Sequence, residues 1–159
     1  MFQFQYRWFI VFLMFIATLI NYLDRAALSY AIEPIQQHFG INNAMFGMLA
    51  SAFSVGYMVM TLLGGIMVDR FGARKIWSIA AVLWSLSCGA IGLSTHIFAL
   101  FTARVCLGLS EGPAFPALTR ATTDWLPMKE RVRAFTIGLS AVAFSSVIGA
   151  PCISSLLIY

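Results

Sequence analysis

Charged side chains are scarce in this sequence. Lys, Arg, Asp and Glu make up 10% of the 159 residues, whereas soluble globular domains carry about 25%. Apolar residues make up 60% of the chain. This composition excludes an ordinary soluble domain.

The sequence also lacks the residue groups on which enzymes and metal sites depend. It contains no nucleophile–base pair, no metal-ligand cluster and no phosphate-binding loop. The three cysteines, Cys88, Cys106 and Cys152, lie in apolar stretches without metal-ligand spacing, so we interpret them as small apolar residues. The chain is therefore predicted not to be an enzyme and to need no cofactor or metal.

Long uncharged stretches are what the sequence has instead. Residues 44–68, 76–95 and 134–159 contain no Lys, Arg, Asp, Glu or His, and their lengths are 25, 20 and 26 residues. A transmembrane helix needs about 18 or more such residues. Two further apolar stretches each carry one acid and one Arg. We predict an all-α membrane protein with five transmembrane helices, at about 8–32, 44–68, 76–95, 97–119 and 134–158.

The connections between the predicted spans are polar. The first span is expected to stop before Pro34, and residues 33–43 are expected to form a turn-prone loop. Residues 120–133 are expected to form a second polar loop. Pro113 and Pro116 each remove a backbone donor, so the fourth span is expected to bend just beyond Glu111.

Basic residues predict the orientation in the membrane. Eight of the ten Lys and Arg flank the spans on one side, and the opposite connections, 33–43 and 95–96, contain none. Cytoplasmic connections carry the excess of Lys and Arg, so the amino terminus is predicted to be cytoplasmic. The net charge of +4 is then a topology signal and indicates no nucleic-acid partner.

The first span contains an acid and a cation side by side, Asp24 and Arg25. Asn21 and Leu28 share their helical face at three- and four-residue spacing. A charge at bilayer depth costs at least about 2.5–3.5 kcal/mol, so such residues usually face the protein interior and carry function. Alternatively, Asp24 and Arg25 simply end a short hydrophobic helix at the interface.

The fourth span repeats this combination of charges. Arg104, Gly108 and Glu111 lie at i, i+4 and i+7 on one face, over about 10 Å of helix. The two charges could form a purely structural ion pair. Because two spans of one chain are charged, we favour a functional role.

Small residues four positions apart predict where helices pack closely in lipid. Such pairs occur at Gly47 and Ser51, at Ala52 and Gly56, and at Gly108 and Gly112. Tyr57 lies in the middle of the second span, where its hydroxyl needs a partner.

A cytoplasmic connection carries more charge than membrane anchoring requires. The segment 65–75 resembles the loop signature of the major facilitator superfamily: Gly, three residues, Asp-Arg, one residue, Gly, one residue, Arg-Lys. The match holds residue by residue at Gly65, Asp69, Arg70, Gly72, Arg74 and Lys75. In loops that it resembles, this segment locks one transporter conformation by meeting a helix end of the second half.

Within that superfamily the chain is most similar to the anion:cation symporter family, which includes sugar-acid permeases. The resemblance extends from about residue 6 to 150. It rests on these groups of residues: Asn21-Tyr22-Leu23-Asp24-Arg25 with Leu28-Ser29, Phe53 with Gly56-Tyr57, the loop 65–75, Arg104 with Gly108, Glu111-Gly112-Pro113 and Phe115-Pro116, and Trp125-Leu126-Pro127 with Glu130-Arg131.

The resemblance implies roles for these residues. Asp24 and Glu111 correspond to the proton carriers of sugar-acid members, and Arg25 and Tyr57 to contacts of the substrate anion. Arg104 is placed to couple charge state to substrate, and we also assign Asn21 and Tyr22 to the substrate site. The chain departs from many members at Thr61, Leu63 and Ser140, which occupy positions of Gln, Pro and Asn.

The resemblance also implies partners. The family has two six-span halves with the substrate between them, so five spans correspond to an incomplete amino-terminal half. We expect a proton symporter of an organic anion in a bacterial inner membrane, present here as a truncated form that is inactive without the second half. The alternative is a non-transporting remnant, or a small subunit that modulates a full-length relative.

Overall fold

The computed structural model describes residues 2–157, with side chains from 6 to 153, and every regular element in this range is a helix. Ile158, the last residue of the predicted fifth span, and Tyr159 lie outside it. The elements are α1 Phe2–Tyr30, α2 Ile32–Phe39, α3 Asn43–Phe71, α4 Ala73–Gly92, α5 Ile97–Glu111, α6 Ala114–Trp125 and α7 Met128–Leu157.

Five segments are long and apolar enough to cross a membrane. They lie in α1, α3, α4, the combined α5–α6 segment Ile97–Trp125, and α7. The predicted all-α class with five transmembrane helices is confirmed. At the position of the predicted bend the regular helix is interrupted, because α5 ends at Glu111 and α6 begins at Ala114.

The expectation of a loop at residues 33–43 is wrong. Most of this segment forms α2, with Pro34 as its third residue. A proline is tolerated there because the first four N–H groups of a helix have no partner within the helix. The chain reverses at Gly40, whose φ is 63°, and Asn42 then caps α3 by accepting a hydrogen bond from Met45 N at 2.9 Å.

The expectation of a loop at residues 120–133 is also wrong. Helix α6 continues to Trp125 and α7 begins at Met128. The polar residues here stabilise helix ends. Arg131 donates from Nε to the carbonyl of Leu126 at 3.0 Å and from Nη2 to that of Thr123 at 2.9 Å, so it caps the carboxyl end of α6.

The helices form two compact units. One comprises residues up to 30 and from 118 onward, where α1 packs along α7. Val11, Leu126 and Ala134 form its buried cluster, with Trp8 and Ile137 packed against it. Phe15 and Phe144 add an edge-to-face ring contact between α1 and α7, with centroids 5.8 Å apart.

The other unit comprises residues 31–117. Here α5 packs against both α3 and α4. About half of the span that contains α5 is buried, against 17% or less for those that contain α3 and α4. Helix α5 is therefore the central element of this unit.

Candidate functional site

Glycines allow α3 and α5 to meet backbone to backbone. A Cβ atom on Gly108 would overlap the carbonyl oxygen of Phe53, and one on Gly56 would overlap that of Val105. One turn further along, a Cβ on Gly112 would lie 2.8 Å from the carbonyl carbon of Met60 and from the nitrogen of Thr61. Real Cβ contacts essentially never fall below 3.0 Å, so none of the three positions tolerates a side chain unless the helices move apart.

These contacts confirm the packing role predicted for Gly56, Gly108 and Gly112. The same prediction is wrong for Gly47 and Ser51. A Cβ on Gly47 would meet nothing within 4 Å, and Ser51 is exposed and donates to the carbonyl of Gly47 within its own helix. The close backbone contacts between α3 and α5 thus include Phe53 and Gly56, whereas Gly47 makes none.

The two charged residues of α5 are buried on the helix face that includes Gly108. Arg104 is 5% exposed and Glu111 is 1% exposed. Glu111 is the last residue of α5, and the helix breaks immediately after it. Buried ionisable groups within membrane spans are rare, and they mark binding sites and proton relays.

Tyr57 lies where α3 packs against α5 at Gly108. Its backbone nitrogen would lie 2.8 Å from a Cβ on Gly108. Its ring is half-buried and stacks on Phe53, with centroids 5.8 Å apart and an interplanar angle of 20°. Within this unit the structure therefore places Tyr57 beside Gly108 on α5, the helix that carries Arg104 and Glu111.

The predicted residues of the first span lie in the other unit. Asn21 is 4% exposed and Leu28 is 8% exposed, so the face predicted from their spacing is the buried one. Asp24 and Arg25 are half-buried. They do not end the helix, because α1 continues to Tyr30.

Tyr22 holds the guanidinium of Arg25. The Cζ atom of Arg25 lies 4.8 Å from the centre of the Tyr22 ring, within the range of a cation–π interaction. This contact orients the guanidinium of Arg25 against a neighbouring side chain of α1. It was not expected from the sequence, where Tyr22 was assigned only by resemblance.

The residues of the segment 65–75, predicted to lock one transporter conformation, lie in different parts of the structure. Gly65 lies inside α3, whereas Asp69 and Arg70 are exposed in its last turn. Gly72 alone connects α3 to α4, with φ 86° and ψ 147°. Arg74 and Lys75 are exposed in the first turn of α4.

Gly72→Ala is expected to reduce the free energy of unfolding by about 1–3 kcal/mol, because only glycine adopts this backbone conformation readily. Chemical unfolding of the chain in detergent micelles measures the effect. Gly65→Ala is the matched control, since a Cβ there meets nothing within 4 Å and alanine favours a helix interior. Equal stability of the two variants would contradict the role of Gly72.

Sequence reasoning missed Thr61 as part of this site. Its hydroxyl lies 3.2 Å from the carbonyl oxygen of Gly112, at the break that follows Glu111. Pro116 was the available signal, because a proline cannot donate to the carbonyl four residues before it. Among the residues that the structure describes, no group of three or more His, Cys, Asp and Glu could hold a metal ion.

The chain is similar to known transporters. It is 41% identical over 151 residues to the probable galactarate/D-glucarate transporter GudP of Bacillus subtilis (strain 168), covering 91% of this chain and 33% of that protein. A hexuronate transporter of the same organism is 33% identical over 144 residues, covering 91% of this chain and 34% of that protein. The chain thus spans about a third of the length of the curated relatives that it matches.

The fold is similar to that of a solved transporter. A crystal structure of a bacterial homologue of the human lysosomal transporter Spinster, in an inward-facing and unoccupied conformation, matches with a TM-score of 0.86 and 25% identity. The match covers 91% of this chain and 30% of that one. Residues 14–159 match the Major Facilitator Superfamily. The chain belongs to this superfamily, and it is an integral membrane protein of a transport family rather than an enzyme.

Proposed function

We propose that this chain forms the amino-terminal part of a secondary transporter that moves an organic anion of the sugar-acid class together with protons. The observation that carries the proposal is the burial of two ionisable residues, Arg104 and Glu111, within one membrane span. Similarity to transporters named for galactarate, D-glucarate and hexuronate supports the substrate class.

Arg25 of α1 would bind a carboxylate of the substrate. Arg25 is already oriented by Tyr22, so it would lose little freedom when it forms a charge-assisted hydrogen bond with an anion. Asn21 and Tyr57 would contribute neutral hydrogen bonds, and Arg104 would link the charge state of Glu111 to binding. A sugar acid offers both carboxylates and hydroxyls to such a set of residues.

Protons would be carried by Asp24 and Glu111. Each carboxyl can alternate between a charged and a neutral form within a membrane span, which is the requirement for a proton relay. Proton binding at these acids and anion binding at the arginines would together select one conformation.

Transport would also need a second transporter half. In this superfamily two halves rock against each other around a site near the midplane of the bilayer. The loop 65–75 would then stabilise one conformation by meeting a helix end of that half. The membrane would be a bacterial inner membrane, in accord with the named bacterial relatives.

The basic residues predict that the amino terminus is cytoplasmic. His96 is exposed between α4 and α5 and is expected to face the outside, whereas Lys75 is exposed at the opposite end of α4. In a background without the three native cysteines, a membrane-impermeant thiol reagent should label His96→Cys only from outside. Lys75→Cys is the matched control and should react only from the cytoplasm. The reverse pattern would contradict the topology.

The function can be tested in a chimaera in which this chain replaces the equivalent residues of the Bacillus subtilis relative, with which it is 41% identical. Vesicles that contain the chimaera should exchange labelled galactarate for internal galactarate, and unlabelled glucarate should compete. A neutral sugar alcohol of the same length is the control and should not compete. Competition by the neutral analogue equal to that by glucarate would contradict an anion site.

A further inference from the structure

Near the helix break after Glu111, Pro116 leaves the backbone carbonyl of Gly112 without its usual helical donor. In a continuous helix the carbonyl of Gly112 would accept a hydrogen bond from the nitrogen of residue 116. Residue 116 is a proline and has no N–H. The carbonyl of Pro113, one residue further on, does have a helical donor, Ala117 N at 3.0 Å.

Thr61 of α3 supplies the missing donor. Its hydroxyl oxygen lies 3.2 Å from the carbonyl oxygen of Gly112 and 2.7 Å from that of Tyr57 in its own helix. A threonine hydroxyl has one hydrogen, which is shared between the two acceptors. The hydroxyl thus links the backbone of Tyr57 to the residue that follows Glu111.

Tight packing on both sides keeps this hydroxyl in place. A Cβ on Gly112 would lie 2.8 Å from the nitrogen of Thr61, so the two backbones are in direct contact. One turn away, a Cβ on Gly64 would lie 2.9 Å from the Cα of Pro113. Gly112 and Pro113, the two residues of the break, are therefore each packed against α3.

We propose that Thr61 is a positioning residue that holds the carbonyl of Gly112 and thereby orients the buried carboxyl of Glu111. The proposal rests on the proposed function, because only a proton-carrying Glu111 needs a fixed orientation. Thr61 itself carries no proton and is not assigned to the substrate. It acts through the backbone of the residue next to the acid.

Nuclear magnetic resonance of the chain in lipid bilayers can observe this contact directly. The sequence contains a single Gly-Pro pair, Gly112-Pro113. Labelling glycine with ¹³C at the carbonyl and proline with ¹⁵N therefore selects the Gly112 carbonyl by its coupling to the next nitrogen. Thr61→Val has nearly the same shape but lacks the donor, so this signal should move upfield. Thr61→Ser should restore it.

A second label measures the effect of Thr61 on the carboxyl of Glu111. Glutamate occurs only at Glu33, Glu111 and Glu130, so ¹³C at the carboxyl gives three signals, of which Glu111→Gln identifies one. That signal should move in Thr61→Val and return in Thr61→Ser. The control is Thr102→Val in α5, because the hydroxyl of Thr102 is exposed and bonds only to the carbonyl of Phe98 at 2.9 Å.

Each outcome decides the proposal. An unchanged Gly112 signal in Thr61→Val would show that the bond does not exist. A Gly112 signal that moves while the Glu111 signal stays would reduce Thr61 to a packing role and overturn the proposal. Thr61→Ala gives the same readout if the valine variant does not fold. These spectra need no transport, so failure of the galactarate exchange assay would count against the proposed function alone.

Discussion

Gly108→Val is expected to force α3 and α5 apart and to lower the free energy of unfolding by about 3 kcal/mol or more. A Cβ at this position would overlap the carbonyl oxygen of Phe53 and lie 2.8 Å from the nitrogen of Tyr57. Both are backbone atoms of a helix, so no side-chain rotation relieves the overlap, and overpacking of this kind falls at the upper end of the usual range. Chemical unfolding in detergent micelles, followed by circular dichroism, measures the change.

Gly47→Val is the matched control for Gly108→Val. Both glycines lie within helices, but a Cβ on Gly47 would meet nothing within 4 Å. Valine has a better helix propensity than glycine, so the control is expected to be neutral or slightly stabilising. Comparable losses of stability in the two variants would show that α3 and α5 do not depend on the crossing at Gly108.

Glu111→Gln is expected to abolish proton-driven accumulation of the anion in the chimaera. Each proton that enters with an anion allows a gradient of about one pH unit to support about tenfold accumulation, because one pH unit corresponds to about 1.4 kcal/mol. A glutamine cannot carry the proton, so the accumulation ratio should fall to about one. Asp24→Asn is expected to have the same effect, since both acids are proposed to exchange protons in each cycle.

Exchange of labelled for unlabelled galactarate distinguishes a variant that has lost proton coupling from one that has failed to fold. Exchange needs binding and conformational change but no net proton movement, so it should persist in Glu111→Gln. Glu33→Gln is the control for loss of an acid, because Glu33 is exposed in α2 outside the five spans. Full accumulation in Glu111→Gln would remove Glu111 from the mechanism.

The sequence predicts the spans of this protein better than its connections. Hydropathy detects segments that lipid can surround, and it therefore located all five. It does not detect polar helices. Segments 33–43 and 120–133 were assigned as loops because they are polar, although Pro34 is compatible with a first turn and Arg120 pairs with Asp124 at i+4, at 3.0 Å.

The face of α5 could be predicted because periodicity alone places Arg104, Gly108 and Glu111 together. The surface of α3 that packs against α5 could not be predicted from the sequence. Gly47 and Gly56 look equivalent in the sequence, yet only Gly56 meets α5, since the crossing point depends on how the helices are inclined. The contact between Thr61 and Gly112 was missed for the same reason, because it joins residues 51 positions apart.

The most direct test of the account is to measure proton movement during anion transport. Vesicles that contain the chimaera and an internal pH indicator are given galactarate without any imposed gradient. Galactarate entry is expected to acidify the interior. Neither Glu111→Gln nor Asp24→Asn should produce this signal, although both should still exchange galactarate. Entry of galactarate without acidification, or entry that depends on sodium, would contradict proton symport by this chain.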